Sequence, residues 1–220
     1  GTSHKYVSAK GAKFAGLDLN CSKIITCHLG NGSSIAAVVN GQSIDTTMGF
    51  TPLEGLIMGT RSGSLDPDVV TYLQEKEGLT AKEMSTILNK KSGFLGLSCV
   101  SSDARDLDNA ANEGNAKAKL TLKKLTYEIT KYIGAYTAAM NGLDAVVFTA
   151  GLGENNPRLR EMVCADMEFF GIKIDRDVNL NAPRGENLVI STPDSKVKVY
   201  VLPTNEELMI ARDTLELVSK

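Results

Sequence analysis

Two glycine-rich segments, each at the end of a strand-like run, are the parts of this chain best suited to chemistry. The first is His28-Leu29-Gly30-Asn31-Gly32-Ser33-Ser34, and the other is Ala150-Gly151-Leu152-Gly153-Glu154-Asn155-Asn156. Glycine lets the backbone approach a ligand closely, so successive N–H groups can converge on an anion such as a phosphate. The first segment is equally a plain hairpin turn, because Asn-Gly is a turn dipeptide in its own right. The Gly151 segment has the outline of a dinucleotide fingerprint, but Asn156 stands where the third glycine would be, and no GxxxxGK[ST] loop occurs in the chain. Hydride transfer on a dinucleotide and P-loop nucleotide hydrolysis are therefore disfavoured. A helix starting just beyond the Gly151 segment would still favour an anionic group there.

Five further residues could take part. Arg61, within Gly59-Thr60-Arg61-Ser62-Gly63, is either a solvated loop side chain or a guanidinium whose planar fork reaches a phosphoryl group. Asp103 and Arg105, in Ser101-Ser102-Asp103-Ala104-Arg105-Asp106, also read as a helix cap with a charge pair. His4 alone is an ordinary surface histidine. Glu206, with Glu207, opens a last helix, where negative charge suits the helix dipole without any metal.

These residues need elements to hold them. Lys23 to His28 and Ser34 to Val39 read as strands, and Asn40-Gly41 then turns the chain into a third strand, Gln42 to Thr47. These three are expected to pair antiparallel. Gly49 to Pro67 carries four glycines and two prolines and reads as a long irregular loop, of a length that tends to be functional or mobile. Helices are predicted over Asp68 to Lys76 and Thr80 to Lys91, the latter with a Thr80/Glu83 capping box. A long helix ends near Asn141-Gly142, and the apolar run Ala145 to Thr149 reads as a strand buried on both faces. A helix from about Pro157 to Phe170, strands near Leu188 to Ser191 and Lys198 to Leu202, and a last helix capped by Thr204 and Glu207 complete the chain. The order implies an α/β fold with a mixed sheet flanked by helices, in one domain without a linker.

Composition narrows the function. The chain has 220 residues, 42% hydrophobic and 23% charged, with a formal net charge of −2. No basic cluster suggests a nucleic-acid partner. Cys21, Cys27, Cys99 and Cys164 show no CxxC spacing, and two histidines make no zinc constellation, so reduced thiols in a cytoplasmic protein are expected. No apolar run approaches a membrane span, and the start has no signal-peptide core. Beginning without Met or a cap, the chain is expected to be part of a longer protein.

Singly these motifs decide nothing; in order they do. His28 to Asp68, HLGNGSSIAAVVNGQSIDTTMGFTPLEGLIMGTRSGSLDPD, resembles the acetate kinase signature almost without a break. GTSHKYVS, KKSG at Lys90 to Gly93, SSDARD, TAGLGEN and PTNEEL resemble the other blocks of that family, in sequence. The resemblance covers essentially the whole chain and implies an RNase H-like fold of the actin and sugar kinase superfamily. It implies the second, nucleotide-binding and dimerising domain of a two-domain enzyme that moves phosphate between ATP and acetate. ATP or ADP, acetate or acetyl phosphate, Mg2+ (with Mn2+ as an alternative) and a homodimer partner follow from it.

Residue by residue, His28, Leu29, Gly30, Asn31 and Gly32 match the family's phosphate loop. Asp103, Ala104 and Arg105, and Gly151, Leu152, Gly153, Glu154 and Asn155, match the segments around ribose and adenine. Family members often carry a larger residue where this chain has Ala104, which puts an adenine contact there in question. His4 and Arg61 match residues assigned to transition-state stabilisation, and Glu206 matches a Mg2+ ligand. The N-x-G-S-S-S-type loop, acetate-facing Arg and catalytic Asp of the family's first domain match nothing here, so the chain alone is expected to be inactive. A propionate or butyrate kinase, and a non-catalytic nucleotide-binding or dimerisation module, are the alternative readings. An actin-like or chaperone-like ATPase is disfavoured by TSHKYVS and GTRSG.

Overall fold

The computed structural model describes residues 1–219. In chain order the first elements are helix α1 (Thr2–Ala15), strands β1 (Lys23–Leu29), β2 (Ser33–Val39) and β3 (Gln42–Thr46), and helices α2 (Pro67–Glu77) and α3 (Ala81–Lys90). Helices α4 (Gly93–Ser98), α5 (Ala104–Asn112) and α6 (Ala116–Ala139) precede strand β4 (Ala145–Thr149). Helices α7 (Ala150–Asn155), α8 (Pro157–Cys164) and α9 (Arg176–Leu180) follow, then strands β5 (Leu188–Val189) and β6 (Lys198–Val201), and helix α10 (Glu206–Val218). The chain divides into two compact units. One comprises residues 1–30, 35–46 and 130 onward, and the other residues 31–34 and 47–129.

The first unit is built on a mixed sheet in the order β3-β2-β1-β4-β6-β5. The hairpin expected at Asn40-Gly41 is present: both residues have positive φ, 52° and 76°, and β2 and β3 pair antiparallel. β1, β4 and β6 run parallel, with Ile24 opposite Ala145, His28 opposite Thr149, and Phe148 opposite Val201. The continuous apolar runs of β1 and β4 follow from this, since a parallel strand covered on both faces has no polar side. Every residue of β4 is buried. Helix α1 lies on the sheet around a core of Val7, Ala12, Ile24, Ala145, Val147, Tyr200 and Leu202. Gly11 allows that approach, because a Cβ there would sit 3.0 Å from the Val147 side chain.

Three expectations about this unit change. The helix read from Pro157 to Phe170 stops at Cys164, and a single 3-10 turn at Glu168–Phe170 follows after a break. The Gly151 segment, expected to precede a helix, is itself helix α7, which begins directly where β4 ends. Helix α10 is capped by Asn205, whose side chain accepts from Leu208 N–H, and Thr204 is occupied elsewhere. Asn205 wins because the side chain immediately before the first helical residue reaches the free N–H groups best.

The second unit is helices and one long loop, residues 47–66. Leu56, Ile57 and Met58 of that loop are buried, as are Met84, Phe94, Leu107 and Leu125. The Ile57 N–H donates to the Glu128 carboxylate at 2.9 Å, which satisfies a backbone donor that the loop leaves unpaired. The Thr80/Glu83 capping box of α3 is formed in full.

Candidate functional site

In the first unit the parallel strands end together, and the candidate residues lie at those ends. An open parallel sheet collects ligand-binding groups at the carboxyl ends of its strands, because helix N-termini and loops converge there. His28 is the penultimate residue of β1, the Ala150-Gly151 step follows β4, and Leu202-Pro203-Thr204 follows β6. The Ser3 hydroxyl bridges two of these ends, 2.7 Å from His28 Nδ1 and 2.8 Å from Thr204 Oγ1. Neighbouring His4 is turned inward, its Nδ1 2.7 Å from Thr26 Oγ1, with its ring centroid 6.1 Å from that of His28. Ser3, Thr26 and Thr204 are not legible in the sequence, because each acquires its role from a partner far along the chain.

The two histidines differ in environment. His4 is only 8% exposed. Burial, with the neighbouring His28, lowers its pKa to about 4, so the imidazole is neutral near pH 7. Burial also lowers the pKa of His28, but the carboxylates of Glu206 and Glu154 oppose that shift. A depressed histidine pKa makes stability depend on pH. The unfolded chain takes a proton at His4 near pH 6.5, whereas the folded chain does so only near pH 4. Between those values the unfolded state binds more protons, so stability falls as pH falls. The whole shift corresponds to about 3 kcal/mol. Urea denaturation followed by circular dichroism should show this loss between pH 6.5 and 4, and His4→Gln should flatten the profile by about that amount. Parallel profiles for both proteins would contradict the buried neutral imidazole.

The Gly151 segment has two kinds of glycine. Gly153 is buried, and a Cβ there would lie 3.4 Å from Phe148 C and 3.5 Å from Cys27 O, so it serves packing. Gly151 is exposed, and a Cβ there would meet nothing within 4 Å. Ala150 has φ +65°, and its N–H donates to the Glu154 carboxylate at 2.8 Å. That conformation is uncommon for a residue with a side chain and clusters where structure over-determines it. Leu152 is half-buried and Asn155 is exposed.

Arg160, which belongs to none of the sequence motifs, fixes this segment from behind. It is fully buried, and its guanidinium donates to Gly153 O and Glu154 O (both 2.8 Å), to Asn179 Oδ1 (2.8 Å) and to Asn179 O (3.1 Å). Burial lowers its pKa to about 10, which still leaves it charged at neutral pH. The sequence does hold a signal: Arg160 and Cys164 are four apart on the buried face of α8, where a charge requires an explanation.

In the second unit the turn Asn31-Gly32 lies beside Arg61. Asn31 is exposed, and a Cβ on Gly32 would stand 3.5 Å from Arg61 Nη1. Arg61 is half-buried, and Nη1 donates to Pro52 O at 3.3 Å and touches Met58 Sδ at 3.6 Å. Nε and Nη2 donate to nothing among the described residues, and no carboxylate pairs with this guanidinium there. A desolvating setting with free donors suits an anion that comes from outside. Asp103 caps α5, accepting from Arg105 N–H at 2.9 Å, and pairs with the Arg105 guanidinium at 2.5 Å. Ala104 is buried, while the Arg105 side chain is 86% exposed.

Among the described residues, no group of three or more His, Cys, Asp or Glu gathers to hold a metal ion. Glu206, exposed at the start of α10, and Glu154 both act on His28. A pair of carboxylates does not by itself make an all-protein metal cage. No helix of the described residues is long and apolar enough to cross a membrane.

Comparisons with known proteins agree closely. The profile of the family described as the acetokinase family matches residues 1–212. Acetate kinase of Thermosipho melanesiensis is 63% identical over 222 residues, covering 100% of this chain and 54% of that protein. Acetate kinase of Carboxydothermus hydrogenoformans is 62% identical, covering 99% of this chain and 54% of that protein. The crystal structure of Porphyromonas gingivalis acetate kinase superposes with a TM-score of 0.96 at 54% identity, over 99% of this chain and 54% of that one. A propionate kinase from Francisella tularensis superposes with a TM-score of 0.89 at 41% identity, over 97% and 53%. The chain therefore spans about half the length of the relatives it matches.

Proposed function

This chain belongs to the acetokinase family, and from that premise we propose that it is the nucleotide-binding half of an enzyme transferring a phosphoryl group between ATP and acetate. In the forward direction an acetate oxygen attacks the γ-phosphorus, the bond to the ADP oxygen breaks, and acetyl phosphate and ADP leave. Acetate is already ionised at neutral pH, so no general base is needed, and catalysis rests on in-line orientation and charge neutralisation. The observation that carries this reading is Arg61, a half-buried guanidinium with free donors next to the Asn31-Gly32 turn.

In this proposal Arg61 neutralises the equatorial oxygens of the transferring group, and the Asn31 and Gly32 N–H groups hold nucleotide phosphate. His28, Leu29 and Gly30 lead into that turn. Gly151 to Asn155 and Asp103 to Arg105 take up the nucleoside, with the small Ala104 leaving its contact to neighbouring groups. His4 holds Thr26, and through Ser3 the chain beside it orients His28; neither histidine need donate a proton. Mg2+ or Mn2+ bound with the nucleotide would supply charge neutralisation at the phosphates, and Glu206 is the carboxylate that would hold it. A cytoplasmic homodimer completes the proposal; the apolar side chains of Phe50 and Tyr127, left in solvent, supply surface for it. The 220 residues alone bind nucleotide without turnover, since the relatives are almost twice as long.

Calorimetric titration of MgADP into this chain tests the reading, with Gly151→Val and Asn31→Ala alongside. Gly151→Val adds a side chain into open space, so it perturbs a ligand and not the fold. Saturable binding in wild type that weakens at least about tenfold in each variant is the expected result, on the scale of about 1.4 kcal/mol per site. Equal affinity in all three folded proteins would remove both segments from the nucleotide site.

A further inference from the structure

The Lys90-Lys91-Ser92-Gly93 block has no part in the roles above, yet the loop that presents Arg61 is built on it. Four backbone hydrogen bonds join that loop to the block and its flanks, residues 88–95: Ser62 N–H to Leu88 O (2.9 Å), Ser92 N–H to Thr60 O (3.0 Å), Phe94 N–H to Met58 O (2.8 Å) and Leu95 N–H to Gly59 O (3.0 Å). The Thr60 hydroxyl adds a fifth, to Asn89 O at 2.8 Å. Residues 58–62 are thus gripped from one side by the junction of α3 and α4, although they have no regular structure of their own. Gly93 sits at the centre of this grip with φ +63°. A Cβ there would collide with Met58 O and lie 2.6 Å from Arg61 O and 3.0 Å from Arg61 N. Those are backbone atoms, which cannot swing aside as a flexible side chain would.

We propose that Gly93 is a positioning residue for Arg61, the absence of its side chain setting where the Met58–Ser62 backbone, and hence the guanidinium, is held. The proposal rests on the reading of Arg61 as the group that neutralises the transferring phosphoryl. Met58 enters twice, since its carbonyl meets Gly93 while its sulfur touches Arg61 Nη1. Displacing this backbone therefore moves both the root of the guanidinium and one of its contacts. Misplacing a catalytic group by about 1 Å costs on the order of 100-fold in rate.

The test uses the protein expressed from its complete coding sequence and measures kcat and nucleotide KM for Gly93→Ala. Gly78→Ala is the control: Gly78 has nearly the same φ, +65°, but a Cβ there meets nothing within 4 Å. Both variants carry the same backbone strain, and only Gly93→Ala presses on the Arg61 loop. Gly93→Ala is expected to lose about 100-fold in kcat with little change in nucleotide KM, and Gly78→Ala to stay within about 3-fold of wild type. In an Arg61→Ala background, adding Gly93→Ala is expected to cost less than about 3-fold, because a residue acting through Arg61 has nothing left to act on. A Gly93 loss that persists in full in that background, or one matched by Gly78→Ala, would overturn the positioning role. If Arg61→Ala itself leaves kcat intact, the reading of Arg61 fails and the role of Gly93 falls with it. Should Gly93→Ala not fold, Thr60→Val removes one grip without inserting bulk. It should lower kcat about 5-fold at unchanged melting temperature. Wild-type kcat in that variant would count against the proposal.

Discussion

Replacing Arg61 with alanine is expected to lower kcat for acetyl phosphate formation by at least about 10³-fold, the scale on which an arginine contributes to phosphoryl transfer. Stability should change by less than about 1 kcal/mol, because the guanidinium forms no ion pair among the described residues and only one ordinary hydrogen bond there. This separation between activity and stability marks a residue held for a ligand. Lysine at position 61 restores the charge but not the planar fork, and should recover only a small part of the loss. Steady-state kinetics with urea denaturation checks both halves. A variant within tenfold of wild-type kcat would place the neutralising charge elsewhere.

A comparably large effect is expected on folding. Arg160→Ala is expected to destabilise the protein by about 3–5 kcal/mol, since it empties a fully buried site and strips hydrogen bonds from carbonyls of Gly153, Glu154 and Asn179. Arg160→Lys should not rescue it, because one ammonium cannot span acceptors on both sides of a guanidinium. Arg160→Met fills most of the volume and should fall between the two. Equilibrium denaturation measures this directly, and a loss below about 1 kcal/mol for Arg160→Ala would show that the buried carbonyls find other partners.

Local physics made much of this fold legible. Asn40-Gly41 adopts positive φ twice in its hairpin, Thr80 and Glu83 form a capping box, and the unbroken apolar run Ala145 to Thr149 is the central parallel strand. What failed depended on distant partners. Nothing in residues 188–191 indicates that only Leu188 and Val189 would pair with β6, and Thr204 left its expected cap for Ser3, 201 residues away. Helix α6 and strand β2 each contribute residues to both compact units, and no linker composition marks a boundary between them.

The candidate residues show the same division. Asn31, Gly32 and Gly151 stand out from glycine chemistry alone, and a Cβ on Gly151 would meet nothing within 4 Å. Arg61 is ambiguous as a loop arginine until its unpaired nitrogens are seen. Gly93 acts on backbone atoms more than thirty residues earlier, at Met58 and Arg61, which no spacing rule encodes. His4 carries no sign of burial in the sequence, yet its pKa of about 4 follows entirely from its place under the sheet end.

The most direct test of the account is acyl phosphate formation from MgATP and acetate by the protein expressed from its complete coding sequence, with propionate and butyrate in parallel. The expected result is transfer to a carboxylate at ordinary enzyme rates, roughly 1–1000 per second, and its collapse in Arg61→Ala. A folded wild-type protein that binds MgADP but forms no acyl phosphate from any of the three acids would contradict it.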